Sequence, residues 1–143
     1  MERFKLQPVL DYRQNLEHQA RQQLAEVLAR ESELRLAIER ERDNLEGLYA
    51  ELIDRQRQGI GSPEQSLFQT SIGQRRATLR ELTRRLDEVG GEVEARRDAL
   101  REAGKEKRLL EKLKEKRELE WQQRLRHKET LFLDEVALSS LNR

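Results

Sequence analysis

His18 and His127 are the first side chains to weigh for chemistry, because imidazole binds metals and moves protons near neutral pH. They stand far apart, and neither has a second His or Cys at the short spacing of a closed metal site. Cysteine is absent, so no thiolate ligand, thiol nucleophile or disulfide is available. Gly59-Ile60-Gly61-Ser62-Pro63 superficially suggests a phosphate loop, but no Lys-Ser/Thr pair follows and no strand precedes it. It reads as a turn. Carboxylates abound, yet two paired helices offer no concave, water-excluding cavity in which a pKa could shift. The chain therefore reads as a non-enzyme with no catalytic, metal-binding or cofactor-binding residue and no cofactor.

Charge is distributed more informatively. Residues 105–128 hold ten Lys/Arg against five Glu, while the rest of the chain is mildly acidic or balanced. Three readings are open: a solvated helix face, a surface that docks on an acidic partner, or a nucleic-acid contact. The interspersed Glu residues and the lack of stacking aromatics beyond Trp121 weaken the last.

What must position these groups follows from composition. Charged residues are 40% of 143, apolar residues 35% and aromatics 4%, with a mean hydropathy of −0.99. Such a chain can bury a thin seam but not a broad core. Disorder is opposed by a net charge of only +1 and by regularly spaced leucines. The first residues lack an apolar leader core, and no stretch approaches the ~20 apolar residues of a membrane span, so a soluble, cytoplasmic protein is expected.

The leucines define the elements. Ala20, Leu24, Val27, Leu34, Ile38, Leu45, Leu48 and Leu52 step by threes and fours, with Glu31 and Glu41 in the two missing places. That is a heptad seam. Leu6, Val9, Leu10 and Leu16 extend an apolar face upstream, and the step Leu16–Ala20–Leu24 suggests a stutter. Pro8 suits a first helical turn, with Gln7 held outside the helix. Ile72, Leu79, Leu82, Leu86, Val89, Val93, Leu100, Ala103 and Leu110 form a second seam, broken by Arg75, Arg96 and Lys107; beyond Leu110 the phase drifts. Polar residues at these seam positions lower stability but fix register.

Between the seams lie a stop and a start. Arg55 and Arg57 complement a helix C-terminus, and Gly59 suits the left-handed residue that ends one. Ser62 reads as N-cap, Pro63 as the first helical residue and Gln65 as the close of a capping box. The expected fold is all-α: an antiparallel two-helix coiled-coil hairpin with a longer, overhanging C-terminal helix, in one domain spanning 1–143. Helix one covers about 8–58, the turn 59–62 and helix two about 63–140.

Folding there sets position n opposite 122 minus n, within a few residues. Pro8 then faces about Lys114, and the residues beyond have no partner from helix one. The expected outline is a rod with roughly 75 Å paired and roughly 40 Å overhanging. Tyr49 would face Gly73, which leaves room for its ring. Gly90-Gly91 would lie near Ser32 as a bend, a close approach or a tolerated soft spot. Trp121, Leu125, Leu131, Phe132, Leu133, Val136 and Leu138 would be exposed, awaiting either another protein or the same stretch of another copy. Tyr49, Leu67, Phe68 and Ile72 form a second apolar cluster near the turn, as end packing or as a contact patch.

The string Phe4-Lys5-Leu6-Gln7-Pro8-Val9-Leu10-Asp11-Tyr12-Arg13, followed by a Gln/Ala/Glu-rich helix, resembles the N-terminus of the flagellar export FliJ family. The Gly59-Ile60 turn, the aromatic-bearing second helix, the late basic segment and Leu133-Asp134-Glu135-Val136-Ala137 are similar too. The resemblance covers essentially the whole chain. It implies a coiled coil like the central stalk of rotary ATPases, whose terminal helices enter the flagellar export ATPase hexamer. Such a stalk promotes assembly and activity of the ring, couples it to the cytoplasmic domain of the export gate, and is linked to export chaperones.

Carried onto this chain, the ring contact would fall on Pro8, Leu10, Tyr12, Arg124, Leu125, Lys128, Phe132 and Leu133. The export-gate contact would fall on Tyr49, Phe68 and Ile72. The chain departs from the family at the turn, where Ser62-Pro63-Glu64-Gln65 is strongly capped and aromatics are few. The resemblance places the protein in the cytoplasm, peripheral to the inner membrane through the export apparatus, with no direct membrane insertion and no nucleic acid among its partners. A stalk of a virulence-type secretion system and a nucleic-acid-binding coiled-coil arm are the alternatives.

Overall fold

The computed structural model describes residues 3–142. They form two long helices, α1 (Gln7–Gln58) and α2 (Ser62–Leu141), packed against each other with no strand among the described residues. This is the all-α helical hairpin expected. No helix among the described residues is long and apolar enough to cross a membrane. Contacts divide the chain into two units, Arg21–Ala99 around the turn, and Met1–Ala20 with Leu100–Arg143 at the termini.

In the turn unit, α1 ends as its residues dictate. Gly59 adopts φ 90°, where a side chain would be strained, and its N–H donates to the Gln56 carbonyl at 3.3 Å. Arg55 in the last turn of α1 reaches Glu64 in the first turn of α2 at 3.0 Å, bridging the connection. The start of α2 differs from expectation by one residue. Gln65 N–H donates to the Gly61 carbonyl at 3.1 Å, which makes Gly61 the N-cap, Ser62 the first helical residue and Pro63 the second. Glycine without a side chain serves there because its carbonyl already accepts the first helical bond.

The core of this unit is a seam one or two side chains wide. Val27, Val89 and Val93 are buried together, flanked by Leu24, Leu28 and Leu34, and Ile38 and Ile72 are buried nearer the turn. Each contributes about 1.5–3 kcal/mol on burial, as an upper estimate. The polar seam positions meet across the helices. Arg75 pairs with Glu41 at 3.0 Å and Arg96 donates to Gln23 at 3.0 Å, while Glu31 forms an ion pair within its own helix with Arg35 at 3.5 Å. Arg30 meets Glu92 at 2.7 Å, on the expected register.

One sequence expectation fails in this unit, and another loses one of its alternatives. A Cβ built on Gly73 would meet nothing within 4 Å, so the Tyr49 ring does not fill that space; the ring lies 6.0 Å from the Arg76 guanidinium instead. A Cβ on Gly90 or Gly91 also meets nothing, so neither glycine serves a close approach, and α2 runs unbroken through both. They are soft spots.

In the terminal unit, α1 begins at Gln7, inside the helix rather than before it: Leu10 N–H donates to the Leu6 carbonyl at 2.9 Å, so the helical count starts from Leu6. Leu10, Glu17 and Ala20 are its buried residues. The supposed stutter is absent. Leu10, Arg13, Glu17, Ala20, Leu24 and Val27 step alternately by three and four, and all are buried or half-buried. Scanning apolar letters alone follows Leu16 and misses Glu17, whose burial is offset by Lys107 Nζ at 3.0 Å from its Oε2. The stretch without partners begins later than expected, because Phe4 and the residues beside it border the same hollow as Arg117, Glu118 and Arg124. Trp121 is half-buried, and every described residue from Gln122 to Asn142 is exposed.

Candidate functional site

Glu17 and Lys107 form the most enclosed charged pair of the terminal unit. Glu17 is 8% exposed and the only buried polar residue among those described. Lys107 also stands 3.7 Å from Glu111, one turn along α2. Gly104 lies against the pair, and a Cβ there would sit 3.7 Å from Glu17 Oε2. A half-buried ion pair in a narrow seam contributes little net stability but makes other registers costly. Lys107 is thereby withdrawn from the basic run at 105–128, which leaves less of it free to meet a partner. No group of three or more potential metal ligands occurs among the described residues.

The residues assigned to a ring contact are not equivalent. Leu10 is 3% exposed and belongs to the core. Pro8 is exposed in the first turn of α1 and lines one hollow with Arg124, Lys5, Lys114 and Arg117. Tyr12 is exposed, with the Arg13 guanidinium 6.0 Å from its ring. Arg124 stands 5.8 Å over Trp121 and shares a face of α2 with Lys128. Leu125, Phe132 and Leu133 are exposed. The structure thus brings Pro8 together with Arg124, and Arg124 with Lys128, while Phe132 and Leu133 lie further along α2.

The turn-proximal set also splits. Tyr49 and Phe68 are half-buried, and Ile72 is 6% exposed in the core. The apolar side chain that faces solvent there is Leu67, 68% exposed. Residue type could not separate Leu67 from Ile72; their helical phase could, because Ile72 falls on the seam and Leu67 does not. Leu141, at the end of α2, is 82% exposed.

Electrostatics elsewhere in the turn unit are those of a solvated helix face. Hydrogen bonds from Arg84, and then from Arg85, hold the Glu81 carboxyl down at about 2, and Arg84 also pairs with Glu88. These groups are exposed and stabilise little individually.

An antiparallel helical hairpin with a narrow polar-punctuated seam is, as a class, a coiled-coil protein. The profile of the flagellar FliJ protein family matches residues 1–143, and the chain belongs to that family. It is a flagellar export-associated protein. Comparison with curated proteins and with solved structures gives no match.

Proposed function

We propose that this chain is a non-enzymatic stalk of the flagellar type III export apparatus. The exposed end of α2 inserts into the export ATPase ring, promotes its assembly and activity, and couples it to the cytoplasmic domain of the export gate, in support of motility. The observation that carries this reading is the run of helix from Gln122 to Leu141, exposed at every residue yet bearing Leu125, Leu131, Phe132, Leu133, Val136 and Leu138. Apolar area of that extent on a lone helix is favourable only when a partner covers it. A single helix differs around its circumference, so six equivalent subunits around it would meet six different contacts, which biases one subunit at a time.

The contact set is Pro8, Tyr12, Arg124, Leu125, Lys128, Phe132 and Leu133, with Leu10 acting through packing beneath them. At the turn, Tyr49 and Phe68 meet the gate, with Ile72 as their support. Export chaperones are further partners, and nucleic acid is not. The protein works in the cytoplasm, held at the inner membrane through the apparatus. The family match favours the flagellar system over a virulence-type one.

Mixing the protein with the export ATPase tests the proposal directly. Hexamer formation and ATP hydrolysis should both rise, and Phe132→Ala with Leu133→Ala should abolish most of the increase. Unchanged assembly and hydrolysis at saturating protein would refute it.

A further inference from the structure

The exposed end of α2 has an internal pattern that the ring reading does not use. At about 100° per residue, Leu131 and Leu138 fall on one flank of a stripe, and Leu125, Phe132 and Val136 fall on the other. Lys128 and Glu135 lie on the line between the flanks, and both are exposed. They are seven residues apart, about 10 Å along the axis, so they cannot neutralise each other within one helix. Opposite charges set into the middle of an apolar stripe disfavour a plain hydrophobic groove and favour a partner that presents the inverse pattern.

The segment itself presents that inverse. When a copy is turned antiparallel about an axis between residues 131 and 132, Lys128 falls level with the second copy's Glu135 on the midline, and like flanks meet, so that Leu131 lies beside Leu131 and Phe132 beside Phe132 of the second copy. Two-fold symmetry makes the Lys128–Glu135 pairing occur twice. A parallel pair would instead set Lys128 against Lys128 and Glu135 against Glu135, stacking like charges inside the seam. Leu133 lies off the stripe and does not enter the pairing. We infer that two copies of this chain associate through residues 125–138 of α2 as an antiparallel pair, which covers the apolar stripe when no other partner does. The pair and the ATPase ring would use the same stripe, so each excludes the other. The inference stands on the stripe alone and does not depend on the ring.

Sedimentation equilibrium of the full chain tests it. A monomer–dimer equilibrium is expected, weakened at least tenfold by Lys128→Glu or by Glu135→Lys alone. The double exchange Lys128→Glu with Glu135→Lys should restore it, because the inverted charges face each other again. Circular dichroism on the same samples checks that helix content is unchanged, as exposed positions require. Since the chain has no cysteine, single cysteines report orientation: Leu131→Cys should crosslink to its copy on oxidation and Leu125→Cys should not. A monomer at every concentration up to about 1 mM, a double exchange no better than the single ones, or preferential linking through Leu125→Cys would each overturn the inference. Failure here with ATPase stimulation intact would leave the stalk proposal standing.

Discussion

Glu17 is tolerated in the seam because Lys107 reaches it, and each side chain depends on the other. Lys107→Ala should destabilise the protein by about 1–3 kcal/mol, seen as a fall of several degrees in the melting temperature by circular dichroism at 222 nm. Replacing both partners with leucine should restore most of that stability, because the cost lies in an unpaired charge rather than in a missing attraction. Glu81 behaves differently. Its carboxyl is held down from 4.5 to about 2 by Arg84 and then Arg85, so its favourable contribution is complete above pH 4.5 and fades as pH falls toward 2. The group is exposed, so Glu81→Gln should flatten acid unfolding only slightly over that window, and high salt should erase the difference. A search for apolar letters could not have found Glu17. The alternation of three and four through Leu10, Arg13, Glu17 and Ala20 was nevertheless in the residues, legible once a charged residue is allowed to occupy a seam position beside an opposite charge elsewhere.

At the scale of the helices, the clearest sequence signals were those with a single physical cause. Arg55, Arg57 and Gly59 announced the end of α1, and Gly59 has the left-handed backbone that a glycine permits. Gly59→Val should therefore cost about 1–2 kcal/mol, measurable by urea unfolding. The start of α2 was displaced by one residue because two signals, a capping serine and a glycine carbonyl, lay side by side and spacing alone does not rank them. Gly90 and Gly91 carry the opposite prediction. Each sits inside a continuous helix with open space where a side chain would go, so Gly90→Ala and Gly91→Ala should each stabilise by roughly 0.5–1 kcal/mol. Loss of stability in either variant would mean that the glycine has a partner or a bend to serve.

For the molecule as a whole, the candidate contacts sort by exposure rather than by residue type. Leu10 and Ile72 are buried, so their truncation should lower the melting temperature together with any binding. Phe132 and Leu125 are exposed, so Phe132→Ala or Leu125→Ala should reduce ATPase stimulation at an unchanged melting temperature. Comparing the two readouts across four variants separates folding from contact. The exposure of the end of α2 was legible because the hairpin register leaves it no partner, although that register put its start near Lys114 rather than beyond Trp121; Leu10 already lay on the apolar face legible upstream, and its burial conflicts only with the contact role that the resemblance gave it.

The uncovered end of α2 also makes it a clock for occupancy. Arg124, Arg126 and Lys128 are trypsin sites in the exposed end of α2, and a helix segment with so little packing opens readily in water. Brief digestion should therefore nick the chain at these three residues first, and the rate of that cleavage should slow in proportion to how much of the segment is engaged at that moment.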